Sequence, residues 1–433
     1  MKRVRVAEEE ELRAGAAAAP GRAIPASGDP RVDGILSGWS WAVGPGEPLI
    51  LTYSFPESAA VYPAPYSASG EPGFGFAPLS EAQRAAVRGA LAQWAEVAAV
   101  RFVEVGGTDE AVLRFAATAA ARTAQAYFPG NDEAAGDVWL GRSFPTEDGY
   151  EPGSYERLVL LHELGHALGL KHPHEPELVP VTLGRADDHL GFTLMSYRAF
   201  PGAKVDRPYT GTDFPTTPML GDIAAVQHLY GAARETAAED TVYRFEAGTT
   251  IWRTIYDTGG EDTLDLSELV RGARLDLRPG ALSEVGPPAD TGGPPQRKTL
   301  AIAFGTDIEN AIGGEGDDRI LGNALANRLE GRGGKDRLQG GAGDDVLVPG
   351  PGDDTVDGGP GLDRVVLDGA FAEFAVRIKG QKVDLRDLLG GAESDGRDRL
   401  RGVELLVFDD QVVSVSAAGA RALDQLLAAA EPV

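Results

Sequence analysis

The chain has no cysteine among its 433 residues, which excludes disulfides, thiolate metal sites and thiol-based inhibition of a metal site. No run approaches the roughly 18 apolar residues needed to span a bilayer. Positive charge is scarce. Lys and Arg number 40 against 66 Asp and Glu, a formal net charge of −26, which argues against nucleic acid or an anionic membrane as partner. A cleaved N-terminal export signal is not expected either, because Glu8 to Glu11 stand where its apolar segment belongs. Methionine is rare, at three residues, and histidine numbers six.

Three of those six histidines lie within His162-Glu163-Leu164-Gly165-His166-Ala167-Leu168-Gly169-Leu170-Lys171-His172. On a helix His162 and His166 stand one turn apart on one face, so both rings can reach a single ion. Gly169 sits where a helix can end through a left-handed residue, and the turn brings His172 back. Three neutral imidazoles with a fourth position open describe a catalytic zinc site, since a structural one closes with four protein ligands. Glu163, beside the first histidine, is the expected general base for peptide hydrolysis. Met195, in Thr193-Leu194-Met195-Ser196-Tyr197, is the candidate methionine turn that completes this longer histidine pattern. His174, His189 and His228 fall outside the pattern and read as surface or packing residues.

Residues 1–30 read as a leader or pro-segment, acidic and alanine-rich and then broken by Pro20, Gly21, Pro25 and Gly28. Residues 31–235 read as an α+β catalytic domain. Leu49 to Phe55 suggests a first strand, and Ser80 to Gln83 has the form of a capping box before a helix carrying Val87, Leu91 and Trp94. Short strands are expected near 101–105, 111–115 and 137–140, followed by the histidine helix.

Near residue 235 glycine, aspartate and short apolar runs take over. From Gly313 to Val366 run six consecutive nine-residue blocks whose sixth positions are Asp318, Asn327, Asp336, Asp345, Asp354 and Asp363. The eighth positions are Ile320, Leu329, Leu338, Leu347, Val356 and Val365. That is the period of a calcium-binding parallel β-roll. Each block supplies a Gly-rich turn whose carbonyls and carboxylate can hold calcium, with Gly341, Gly343, Gly350 and Gly352 among the turn residues. Neighbouring carboxylates repel without the ion, so the roll, residues 236–366, should fold only with calcium. The second block, with few glycines and Asn327, reads as a weaker site. Residues 367–433 are expected to add strands and a final amphipathic helix over 417–430.

In order along the chain, Gly136 to Leu140, Pro152 to Tyr155, the histidine motif, Leu194 to Tyr197, Asp222 to Ala232, Asp257 to Thr263 and Ile308 to Gly314 resemble serralysin-type secreted metalloproteases. The resemblance implies a metzincin catalytic domain followed by a calcium β-roll, with one catalytic zinc and several structural calcium ions. It further implies that Tyr197 is an extra zinc ligand that swings away to stabilise the oxyanion. Val138, Trp139 and Leu140 would belong to the edge strand on which an extended substrate pairs. Asp257, Gly259 and Asp262 would form one calcium site, and Glu309, Gly314, Gly316 and Asp318 another.

The family's one-step export through a C-terminal signal implies a type I secretion machinery as partner and an extracellular location. The function expected is that of a monomeric zinc endopeptidase acting on protein or peptide substrates. Two alternatives stay open: a calcium-dependent surface or adhesion protein with a vestigial protease domain, and a protease that trims one partner. The segment between His172 and Met195 is shorter than the family's and carries Glu175, Glu177, Asp187 and Asp188, so the cleft is expected to be rebuilt there.

Overall fold

The structure, a computed structural model, describes residues 20–44, 48–106, 111–205, 209–389, 394–416 and 419–421. It divides into two compact units. One comprises residues 1–236 with the short pieces 252–254 and 289–296, and the other holds the rest.

In the first unit a five-stranded sheet runs in the order β2-β1-β3-β5-β4, where β1 is Leu49–Ser54, β2 Val100–Glu104, β3 Leu113–Ala117, β4 Ala124–Ala126 and β5 Val138–Leu140. All pairs are parallel except β5 with β4. Helix α1, Glu81–Val97, starts at the expected capping box. Ser80 Oγ accepts from the Gln83 backbone at 3.2 Å, and Gln83 Oε1 accepts from the Ser80 backbone at 3.0 Å. Its Val87, Leu91 and Trp94 are buried, the face that the helical spacing assigns to the core. Helices α2, Tyr155–Ala167, and α3, Leu220–Tyr230, are the other long helices described in this unit.

The proposed leader does not stop short of the fold. Gly21–Ala23 pairs antiparallel with Trp39–Trp41. A Cβ on Gly21 would lie 2.3 Å from Gly130 Cα, so the glycine permits an approach that no side chain allows. The residues before Pro20 lie outside the described ones.

The second unit is a roll of two parallel sheets. One passes through Asn310–Ile312, Arg328–Glu330, Val346–Val348 and Arg364–Val366; the other through Arg274–Asp276, Arg319–Leu321, Arg337–Gln339 and Thr355–Asp357. Successive nine-residue blocks alternate between the sheets, so each strand pairs with the one two blocks on. The eighth-position residues Ile320, Leu329, Leu338, Leu347, Val356 and Val365 are all 0–1% exposed and line the interior.

The roll does not end at Val366. After an antiparallel hairpin, Phe374–Lys379 with Lys382–Asp387, strand Arg397–Arg401 pairs with Thr355–Asp357, and Leu405–Val407 pairs with Arg364–Val366. Leu400 and Leu406 take the inward position. The strands expected after 367 therefore continue the roll rather than form a separate segment. Most of the expected C-terminal helix lies outside the described residues.

Candidate metal centre

Helix α2 begins with Ser154, whose side chain accepts from the Arg157 backbone at 3.1 Å, and is buried from Leu158 through Ala167. A helix apolar all round belongs inside a core, and this one is capped by buried partners. Trp41 Nε1 donates to Ala167 O at 2.8 Å and Tyr230 Oη to Leu168 O at 2.7 Å, satisfying carbonyls that a helix end leaves free. Gly169 then turns with φ +101, and a Cβ there would sit 2.3 Å from Trp39 O. Both conformation and space demand glycine. Beyond it Lys171 is held by Gly34 O, Glu175 O and Val181 O at 3.0, 2.8 and 2.8 Å, which fixes the return of His172.

The three imidazoles converge. Nε2 of His172 lies 3.1 Å from Nε2 of His162 and 3.0 Å from Nε2 of His166. Each Nδ1 faces an acceptor: Leu194 O at 2.8 Å for His162, Leu170 O at 2.7 Å for His166, and Glu175 Oε2 at 2.7 Å for His172. With Nδ1 carrying the proton, all three Nε2 lone pairs point at one another and no hydrogen bond can form among them. A cation resolves that repulsion, and tetrahedral zinc with arms of about 2.0–2.1 Å sets its ligands about 3.3 Å apart. The donor set fits zinc. Burial, foremost, pushes His162 down to about 4, His172 to about 2 and His166 well below its usual value, so all three are neutral, as ligation requires.

Glu163 is 7% exposed, and burial alone pushes its carboxyl up to about 8. It lines a cleft of about 430 Å³ with His162, Tyr197, Tyr155, Tyr209, Thr123 and Ala124. The Tyr197 ring lies 4.2 Å from that of His172 and 5.7 Å from that of His162, centre to centre. Met195 is fully buried beneath the helix. A Cβ on Gly165 would meet its Sδ at 2.5 Å, so this glycine of the motif exists to admit the methionine turn.

Several supporting groups were not legible in advance. Asp222, on α3, accepts from Thr193 Oγ1 at 2.6 Å and from the Leu194 and Met219 backbones at 2.8 and 2.9 Å, thereby holding the carbonyl that orients His162. Glu175, grouped by sequence with the cleft acids, orients His172 instead. Such outer partners fix tautomer and ring orientation. His174 is not a free surface residue, since its ring stacks on that of His172 at 5.6 Å.

The expected edge strand must be corrected. Val138, Trp139 and Leu140 form β5, which lies between β3 and β4 and is 0–1% exposed. Both of its edges are paired, so no substrate can add to it. Of the sheet's two outer strands, β2 and β4, it is β4, Ala124–Ala126, that has a residue, Ala124, in the wall of the cleft.

In the roll, the sixth-position residues stack. The backbone N–H of Asp318 donates to Asp336 Oδ1 at 2.8 Å, that of Asp336 to Asp354 Oδ1 at 2.7 Å, that of Asn327 to Asp345 Oδ1 at 2.8 Å and that of Asp345 to Asp363 Oδ1 at 2.9 Å. The column continues into Asp398 and Glu404, which accept from Asp354 and Asp363 at 2.9 and 3.0 Å. Oδ2 of Asp336, Asp345, Asp354, Asp363 and Asp262 is buried without a partner. Orphaned anionic oxygens beside carbonyl-rich turns fit calcium, a hard cation that takes oxygen ligands. Burial first, then neighbouring carboxylates, push Asp336 up to about 8, Asp345 and Asp354 to about 7, and Asp363 and Asp262 to about 6.

Asn327 departs from this pattern. Its Oδ1 accepts from the Asn323 backbone at 2.8 Å, and its Nδ2 donates to Glu309 O at 2.9 Å and to Asn323 Oδ1 at 3.1 Å. Both amide hydrogens are spent on oxygens that a cation would otherwise attract.

Among known families, the model described as Matrixin matches residues 77–190, and the one described as Peptidase M10 serralysin C terminal matches residues 227–368. Serralysin of Photorhabdus luminescens is 34% identical over 277 residues, 58% of this chain and 54% of that protein. Serralysin C of Dickeya chrysanthemi is 34% identical over 314 residues, 65% of this chain and 61% of that one. Metallopeptidase AprA of Pseudomonas marginalis is 32% identical over 308 residues, 64% and 61% respectively. The chain thus spans 54–61% of the length of these relatives. With two family models in this order, one over the histidine helix and one over the roll, the chain is similar to the serralysin-type metzincins over both regions.

Proposed function

We propose that the chain is a zinc-dependent endopeptidase acting on proteins outside the cell, with its roll held by calcium. The observation that supports this most is the convergence of three Nε2 lone pairs beside a buried carboxylate in an open cleft. His162, His166 and His172 would hold the zinc. When bound, zinc supplies a Lewis acid that polarises the scissile carbonyl and makes water more acidic. Glu163 takes a proton from the attacking water and delivers it to the leaving nitrogen. Tyr197, whose ring lies against His162 and His172, is the residue to serve as resting ligand and then donate its phenol hydrogen to the oxyanion. An extended substrate pairs along β4 and so passes Glu163.

Asp257, Gly259 and Asp262 would hold one calcium ion, and Glu309, Gly314, Gly316 and Asp318 another. Asp336, Gly341, Gly343, Asp345, Gly350, Gly352, Asp354 and Asp363 would supply the turns that follow. Asn327 is left out, because its amide fills the place of an ion. Monomeric state, one-step export and an extracellular site belong to the same reading, and no helix among the described residues is long and apolar enough to cross a membrane. The test is hydrolysis of an unstructured protein such as casein by the full chain with zinc and calcium supplied. Cleavage that stops on zinc removal supports the proposal; a zinc-loaded chain that cleaves nothing refutes it.

A further inference from the structure

Glu71 is fully buried, yet among the described residues its carboxylate bonds only neutral side chains. Burying a carboxylate is costly unless its oxygens are hydrogen-bonded, and here each is. Oε1 accepts from Gln125 Nε2 and from Tyr127 Oη, the latter at 2.5 Å, while Oε2 accepts from Ser67 Oγ. The backbone of the same residue is tied as well, its carbonyl accepting from Thr118 Oγ1 at 3.0 Å. Two of the three donors to the carboxylate sit on or beside the edge strand β4, whose other side chains, Ala124 and Ala126, are too small to anchor it. A three-residue edge strand has little intrinsic stability, and any disorder in it must be removed when a ligand pairs there.

We propose that Glu71 is a positioning residue for substrate: through Gln125 and Tyr127 its carboxylate holds β4 extended, ready to receive a peptide as a further strand. The inference rests on the reading of β4 as the substrate-pairing edge. It concerns binding along the strand and leaves the proton-transfer groups untouched, since Glu71 is absent from the cleft wall around Glu163.

The experiment is steady-state kinetics on two peptides, one long enough to pair with β4 and one too short to reach it. In Glu71→Gln, whose amide oxygen can still accept from Gln125 and Tyr127 but without the charge that strengthens those bonds, KM for the long peptide should rise about tenfold, the equivalent of about one net hydrogen bond. Its kcat, the short-peptide kinetics and the zinc content should stay as in the wild type. Gln125→Ala, which removes only the strand-side partner, should reproduce the KM shift and serves if Glu71→Gln does not fold. A wild type that cleaves the long peptide while Gln125→Ala leaves the long-to-short ratio unmoved would overturn the role of Glu71 alone. A wild type that cleaves neither peptide would overturn the peptidase reading and this inference together.

Discussion

Glu163→Gln should lower casein hydrolysis by a factor of about 100 to 10 000, the usual loss when a positioned general base is removed, with zinc still bound. Glutamine matches glutamate in shape and adds no charge to a site where burial already pushes the carboxyl up to about 8. The helix should therefore hold, and melting temperature should not fall. The metal is expected to remain, because the histidine orientations come from Leu194 O, Leu170 O and Glu175 rather than from Glu163. Activity within a few-fold of the wild type, at equal zinc content, would remove Glu163 from the chemistry.

Calcium removal should unfold the roll at pH 8. A bound ligand at a hundred times its Kd contributes about 2.7 kcal/mol, so several such sites together rival the whole stability of an ordinary domain, about 5–15 kcal/mol. Without the ion the pH dependence has a definite sign. Asp336, Asp345 and Asp354 have folded values raised from 3.8 to about 7–8, so the folded state holds protons that the unfolded chain releases. The stability this adds is fully present below about pH 4, the unfolded value, and is lost as pH rises through 7–8. In chelator, strand signal in circular dichroism should therefore grow on acidification from pH 8 to pH 5. With calcium present the same protons compete with the ion, and calcium affinity should fall over that interval. A roll already fully folded in chelator at pH 8 would contradict the metal-coupled folding.

The histidine helix was legible because His162 and His166 share a face whatever surrounds them, and Gly169 is required by its own backbone. The roll was legible because a strict period of nine puts Asp and an apolar residue at fixed offsets. The edge strand was not, since Ala124-Gln125-Ala126 is only three residues long and has no β-branched or aromatic side chain, and its place comes from pairing with β5. The continuation of the roll escaped for a related reason: an inserted hairpin breaks the period, and the column resumes with Asp398 and Glu404 out of step in sequence yet in register in space. Asp222 and Glu175 act through hydrogen bonds spanning 28 and 3 residues, which no local pattern announces.

Anomalous diffraction from crystals of the full chain grown with zinc and calcium tests the central claim most directly. One zinc peak is expected about 2.0–2.1 Å from Nε2 of each of His162, His166 and His172. Calcium is expected at Asp336, Asp345, Asp354 and Asp363 Oδ2 and not at Asn327. Zinc bound by His174 and Glu175 instead, or no metal between the three Nε2 atoms, would contradict it.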